Sequence, residues 1–175
     1  MLFSDRSIWT MVHGIVLGGA ELLALSAALF AIYLLRPVPA PTADDRSRPV
    51  TLLTGFISLM LWLTVFVGTY IVFPPYRATP PEGTVDLAAY PRAFILSEPE
   101  TVWLHAFAME TKEHLPFAAA MLATAVGFVL WRYGRRALDD AHIRRYASLL
   151  LMICFAIVAY ISLLGVLVNK VAPLE

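Results

Sequence analysis

The chain is poor in the residues that mark most soluble enzymes. Cys154 is its only cysteine, which excludes an internal disulfide, the paired-cysteine metal and redox motifs, and the attachment signature of c-type haem. Set inside an apolar run, it reads as a small buried hydrophobe. Charged residues make up only 15% of the sequence, against about 25% in an average soluble domain. Lys and Arg number 13, as do Asp and Glu. The net charge is therefore zero, and no basic footprint for nucleic acid is present. There is no glycine-rich phosphate loop, no G-x-S-x-G elbow and no H-E-x-x-H. Nucleotide-dependent, serine-hydrolase and zinc-protease readings lose their basis.

Apolar residues fill the space, at 59% of the 175 positions and with a mean hydropathy of +0.73. Four runs supply the roughly 20 apolar residues that cross a bilayer: 8–35, 50–73, 100–131 and 147–168. They predict an all-α fold, an integral membrane four-helix bundle forming one domain over 1–175, with membrane lipid as its first partner. The first run is too long for a cleavable signal peptide, and no small-residue cleavage site follows Arg36. The third starts at "SEPE", where Ser97 and Glu100 have capping-box spacing and Pro99 suits a first turn. A start there makes the third helix the longest.

Orientation follows the cationic side chains. Arg36, Arg46, Arg48, Arg132, Arg135, Arg136, Arg144 and Arg145 fall on one side of the four spans; Arg6, Arg77, Arg92, Lys112 and Lys170 fall on the other. The bias places both termini and the 74–99 loop outside, in the periplasm if the membrane is a bacterial inner membrane. That loop is long for an unstructured connection. Its Tyr76, Tyr90, Phe94, Ile95 and Leu96 predict packing at the membrane surface, as a lid over the outer ends of the helices. Close helix approach in lipid needs small residues, because burial in protein offers apolar groups no advantage over lipid tails. Gly14 and Gly18, and then Gly55, Ser58 and Gly68, are the candidates, either for helix contact or to make room for a flat cofactor.

The most informative stretch is "WLHAFAMETKEHLPF", residues 103–117, which sets two histidines, two glutamates and a lysine at the mouth of an apolar helix. His114 lies about 25 Å along its helix from Trp131, and His13 about 30 Å from Tyr33. The two histidines are thus expected at similar depth near the outer boundary, on neighbouring antiparallel helices. Together they could clamp a metal ion or a haem iron. Glu110, one turn before His114, shares its face and could orient the imidazole or add a ligand. His105 is nine residues from His114, on the opposite face of a straight helix, and is the weaker ligand candidate. It shares its face with Met109, Lys112 and Pro116.

Glu21 falls near mid-bilayer, where an ionised carboxylate is costly. It should face the interior and bond Thr64 or Ser58. With Glu113 it outlines a candidate proton path. Each residue also has a plainer reading: His13, His105 and His114 as interfacial side chains, Glu113 and Lys112 as a salt-bridged helix end, Glu21 as a structural hydrogen-bonding group. His142, in a basic turn, reads as solvated.

On His13 and His114 and the four-span plan, the chain resembles small four-helix membrane cytochromes b. The resemblance implies one b-type haem between helices 1 and 3 near the outer face, exchanging electrons with quinol or an external cytochrome. Two-haem members carry histidines toward both faces, and this chain has none near the inner end of a span. The 103–117 stretch is similar to one in small bacterial four-span membrane proteins, a likeness that brings no chemistry. Three expectations follow: a redox subunit, a metal or proton site without haem, and an accessory subunit of a larger membrane complex. In none of them is the chain expected to be a self-contained enzyme.

Overall fold

The computed structural model describes residues 4–34 and 43–172, so part of the first connection, with Arg36, lies outside the described residues. All regular structure among those described is helical. Four helices are long and apolar enough to cross a membrane: α1 (Asp5–Ile32), α2 (Ser47–Tyr76), α4 (Leu104–Tyr133) and α6 (Ala141–Val171). Two short helices sit between them, α3 (Pro91–Ser97) and α5 (Arg135–Asp139).

Boundaries follow local chemistry, though not always the chemistry read from sequence. The helical backbone leading into α2 starts at Ala43, so Pro49 sits inside the helix, and the first connection is shorter than its prolines suggested. The capping box at "SEPE" does not form. Ser97 is the last residue of α3, and its hydroxyl donates to the Phe94 carbonyl at 2.8 Å. Thr101 makes the turn instead, donating to the carbonyls of Ile95 at 2.7 Å and Glu98 at 3.1 Å. The third spanning helix consequently has 30 residues, against 28, 30 and 31 in the other three, and is not the longest. At its far end Gly134 has φ +53° and donates to the Leu130 carbonyl at 2.8 Å, a backbone conformation that favours glycine and stops the helix. Asp140 then caps α6, accepting from the amides of His142 at 2.8 Å and Ile143 at 3.1 Å.

Among the spanning helices, α1 packs on α2 and α6, and α4 packs on the same two. Thus α1 and α4 lie across the interior from each other. Tyr76, Leu104, Leu164 and Ala172 share one apolar cluster, so the start of α4 and the ends of α2 and α6 meet at one end, here called the terminal end. The N-terminal turns of α1 join them through contacts with the last turns of α2. It follows that α1 and α4 run parallel, which corrects the antiparallel pairing expected for the two histidine-bearing helices.

Two apolar clusters hold the helices together. The larger spans the middle and the arginine-bearing end, and includes Leu25, Ile32, Ile57, Leu130 and Leu151. The smaller closes the terminal end around Tyr76, Ile95, Leu104 and Val168. Helix approach relies on small side chains. Ala119, Ala120 and Ala123 are buried on α4, and a Cβ on Gly127 would lie 3.6 Å from the Thr54 carbonyl oxygen. Gly18 meets Ser162 of α6, while Gly14 and Gly55 have no neighbour at that range. The G-x-x-x-G spacing of α1 therefore does not act as a contact motif within one chain.

Three of the four spanning helices widen into π-helical turns, over Val12–Leu17, Gly68–Val72 and Leu104–Met109. All three lie toward the terminal end. Such turns carry i→i+5 hydrogen bonds and recur at functional sites.

Candidate functional site

The π-helical turn of α1 decides which way its polar side chains point. In a regular α-helix His13 and Glu21 would be roughly 80° apart. A π-helical stretch fits about one more residue into each turn, so it rotates roughly 80° per residue instead of about 100°. Over this segment the difference brings His13 and Glu21 onto nearly one face. That face is turned inward. Glu21 is 2% exposed, and the Thr64 hydroxyl donates to its carboxylate. The other partner named from sequence, Ser58, is engaged elsewhere, sharing a 2.7 Å hydrogen bond with Thr124.

His13 sits two helical turns further toward the terminal end, against Gly68 of α2 and within electrostatic reach of the Lys112 ammonium. Gly68 makes room for it: a Cβ there would lie 2.8 Å from the imidazole Cε1. The Nδ1 atom is buried and has no hydrogen-bond partner. Lys112 arrives from α4 and lies against α6, where a Cβ on Gly165 would be 2.8 Å from Nζ. The arrangement is therefore a polar layer inside the protein, built from His13, Glu21, Thr64 and Lys112, with two glycines where side chains would otherwise collide. Toward the arginine-bearing end the interior is mainly apolar, lined by Leu25, Ala28, Ile57 and Leu61, and the hydroxyl of the buried Thr54 is bonded back to the Val50 carbonyl of its own helix.

The same logic explains α4. A straight helix puts His105 and Lys112 on one face, but the π-helical turn over Leu104–Met109 swings His105 away. Its ring joins the cap at the terminal end instead. Arg92 Nε donates to His105 Nε2 at 3.3 Å, and Nδ1 lies 3.1 Å from the Tyr76 hydroxyl. An arginine only donates, so Nε2 is the acceptor, and in the neutral ring Nδ1–H is the donor to Tyr76. The histidine ties the loop helix α3 to the ends of α2 and α4. The 74–99 segment thus packs on the terminal end through α3, with Ile95 fully buried against Tyr76, Leu104 and Val168.

His114 and Glu110 point the other way. Both are exposed, on a face shared with Phe107, Phe117 and Met121. His114 Nδ1 is 2.7 Å from the Glu110 carbonyl oxygen, so that nitrogen carries the proton and Nε2 faces outward. Lys112, which enters the interior, is two residues from His114, or about 200° around the helix. His13 therefore lies within the protein and His114 on its surface. Glu113 is half-buried, and its charge acts on the Tyr76 phenol. His142 is exposed in the first turn of α6.

A haem clamped between two histidines, or a metal ion on the same pair, needs both imidazoles to converge. Here one faces the interior and the other faces out, so the donor set within one chain does not fit either group. Among the described residues no group of three or more His, Cys, Asp and Glu side chains could hold a metal ion.

Sequence reasoning missed Lys112 as an interior group. The signal that could have found it is Pro116, four residues on, on the same face and at a point where a helix must be covered by neighbours that satisfy the freed carbonyl.

No family model, no curated protein and no solved structure matches this chain. The functional reading therefore rests on the residues themselves.

Proposed function

We propose that the protein is a four-helix bundle of the bacterial inner membrane whose outer half holds a proton-exchange site. On this reading the termini and the 74–99 segment face the periplasm, and the opposite end, with Arg48, Arg132, Arg135, Arg136, Arg144 and Arg145, faces the cytoplasm. The observation that carries the proposal is that Glu21, bonded to Thr64, and His13, within electrostatic reach of Lys112, are turned inward on one helix, in an interior where Glu21 is the only buried carboxylate among the described residues. Ionisable groups inside a membrane protein are expensive, and they recur where protons or ions are handled. A carboxyl, an imidazole and an amine differ widely in proton affinity in water, and a shared low-dielectric setting narrows those differences, which is the condition for passing a proton among them.

The polar layer is bounded on the cytoplasmic side by apolar packing. The site therefore loads and unloads from the periplasmic side and does not form a through-path by itself. That behaviour suits a subunit that accepts or releases protons for a redox-type membrane complex, with quinol chemistry as the natural source of protons and electrons. Electron transfer through a haem of its own is not part of the reading, because His13 and His114 diverge.

Infrared difference spectroscopy during a pH titration of the purified, lipid-reconstituted protein tests it. A protonated carboxyl band that titrates in the wild type and disappears in Glu21→Gln supports the site. A titration identical in wild type and variant overturns it. A reduced-minus-oxidised haem spectrum lost in His114→Ala would restore the cytochrome reading in its place.

A further inference from the structure

We propose that the groove between the first turns of α1 and the last turns of α2 is a headgroup site for one membrane lipid, phosphatidylethanolamine. The groove has a volume of about 200 Å³, several times the roughly 30 Å³ share of one water molecule, so a headgroup has room in it. Asp5, Arg6 and Trp9 line it from α1, and Ile71, Val72 and Pro75 from α2. Ile71 and Val72 belong to the π-helical turn of α2. On α1, Asp5 and Trp9 are four residues apart, as are Arg6 and Thr10, so the two pairs form adjoining rows on one face. Thr10 also lines the groove, but its hydroxyl donates to the Arg6 carbonyl at 2.9 Å.

The groove is apolar toward the middle of the protein and charged at its outermost turn, which is the polarity of a phospholipid. Helix α1 has 28 residues, about 42 Å of length, which matches the roughly 40–45 Å of a bilayer with its headgroups. Its first turn therefore stands at headgroup level. Trp9, 41% exposed, sits one turn deeper, at the interface where tryptophan is enriched.

The charges select the headgroup. Asp5 and Arg6 are exposed, and neither has an ion-pair partner among the described residues. Arg77, just beyond the end of α2, is turned over the Phe73 ring at 5.4 Å. The Ser7 amide is held by the Ser4 hydroxyl oxygen at 3.1 Å, so a phosphate falls to the Arg6 guanidinium, whose planar fork matches it. The adjacent Asp5 then meets the cation at the other end of the ethanolamine link, a primary ammonium with three N–H donors. Phosphatidylcholine carries methyls in place of those donors. Phosphatidylglycerol has no cation and sets its phosphate beside the Asp5 carboxylate without compensation. The inference does not depend on the interior proton site.

Native mass spectrometry of the purified chain in detergent, titrated with each of the three lipids at matched acyl chains, tests it. One phosphatidylethanolamine should bind at least about tenfold more tightly than either of the others, the scale of one charge-assisted hydrogen bond. Arg6→Gln should weaken that binding about tenfold, and Asp5→Asn should erase the preference over phosphatidylglycerol, both with the melting temperature of the lipid-free protein unchanged. Ile71→Trp, which fills the groove from the α2 side, should lower binding with both charges in place. Glycerophosphoethanolamine, the same headgroup without acyl chains, should not displace the lipid at equal concentration. Equal binding of the three lipids, undiminished binding by Arg6→Gln, a preference kept in Asp5→Asn, or displacement by the acyl-free headgroup would each overturn it.

Discussion

The hydrogen bond between Thr64 and Glu21 can be measured by a double-mutant cycle. Thr64→Val keeps the shape of the side chain and removes the donor, leaving the carboxyl oxygen unpaired in a residue that is 2% exposed. An orphaned buried acceptor costs about 1–3 kcal/mol in soluble proteins. Side-chain hydrogen bonds within membrane proteins average about 0.6 kcal/mol and reach about 1.7, because the membrane-embedded unfolded state also finds partners. Glu21 belongs at the upper end of that range, since so little of it reaches a replacement partner in the folded state. The expected coupling is therefore about 1–1.7 kcal/mol, roughly a 5- to 18-fold change in the folding equilibrium at 25 °C. The cycle compares Thr64→Val, Glu21→Met and the double variant, with unfolding of the detergent-solubilised protein followed by tryptophan fluorescence. The double variant should be less destabilised than the sum of the singles, because removing both partners leaves nothing unsatisfied. Glu21→Gln, which keeps an acceptor, should cost less than Glu21→Met. Additivity within about 0.3–0.5 kcal/mol would refute the reasoning, since it would mean that hydroxyl and carboxyl act independently.

Two further outcomes follow from the packing and the caps. Gly68→Ala places a methyl 2.8 Å from the His13 ring; overpacking costs about 1–3 kcal/mol, partly offset by about 1 kcal/mol of helix propensity, so the same unfolding assay should show a net loss of up to about 2 kcal/mol. Asp140 holds its proton affinity below the usual aspartate range, first through the Ile143 amide and then through that of His142. Its contribution is complete above the ordinary aspartate pKa and is lost as the pH falls through the lowered folded-state value, so the protection of the Ile143 amide, its exchange rate relative to the intrinsic rate at the same pH, should fall in acid in the wild type and be low at every pH in Asp140→Ala.

The four spanning helices were legible because a bilayer imposes a length and an apolar composition that no other context requires. Glu21 was legible for the same reason: a carboxylate amid "GGAELLALS" has nowhere to point except inward, and Thr64 was among its two expected partners. The orientations of His105, Lys112 and His114 were not. His105 was set on the face of Lys112 by turning a straight α-helix at about 100° per residue, and the π-helical turn of α4 changes that count; Lys112 and His114 follow that turn, so their opposite faces were readable, but which of the two turns inward was not. Nothing in "VHGIVL" or "LHAFAM" announces a widened turn. Such turns arise from how the helices pack at the terminal end, which a single helix's sequence does not encode. The start of α4 was misread because Ser97 and Thr101 are both plausible turn residues, and the choice depends on Ile95 being drawn into the apolar cap. Gly127 was passed over since its role, close approach to the Thr54 backbone, belongs to a helix pair rather than to either sequence.

The apolar packing below Glu21 has an electrical consequence. From Glu21 to the described end of α1 at Ile32 is 11 residues, about 16 Å of helix, and the larger cluster fills that depth with hydrocarbon. This region acts as the insulating slab of a capacitor. In a membrane, a potential would drop largely across such a low-dielectric layer, at about 2.3 kcal/mol per elementary charge for each 100 mV. On the proposed function, a charge taken up on the polar layer would be stored on one plate and not conducted through the apolar half.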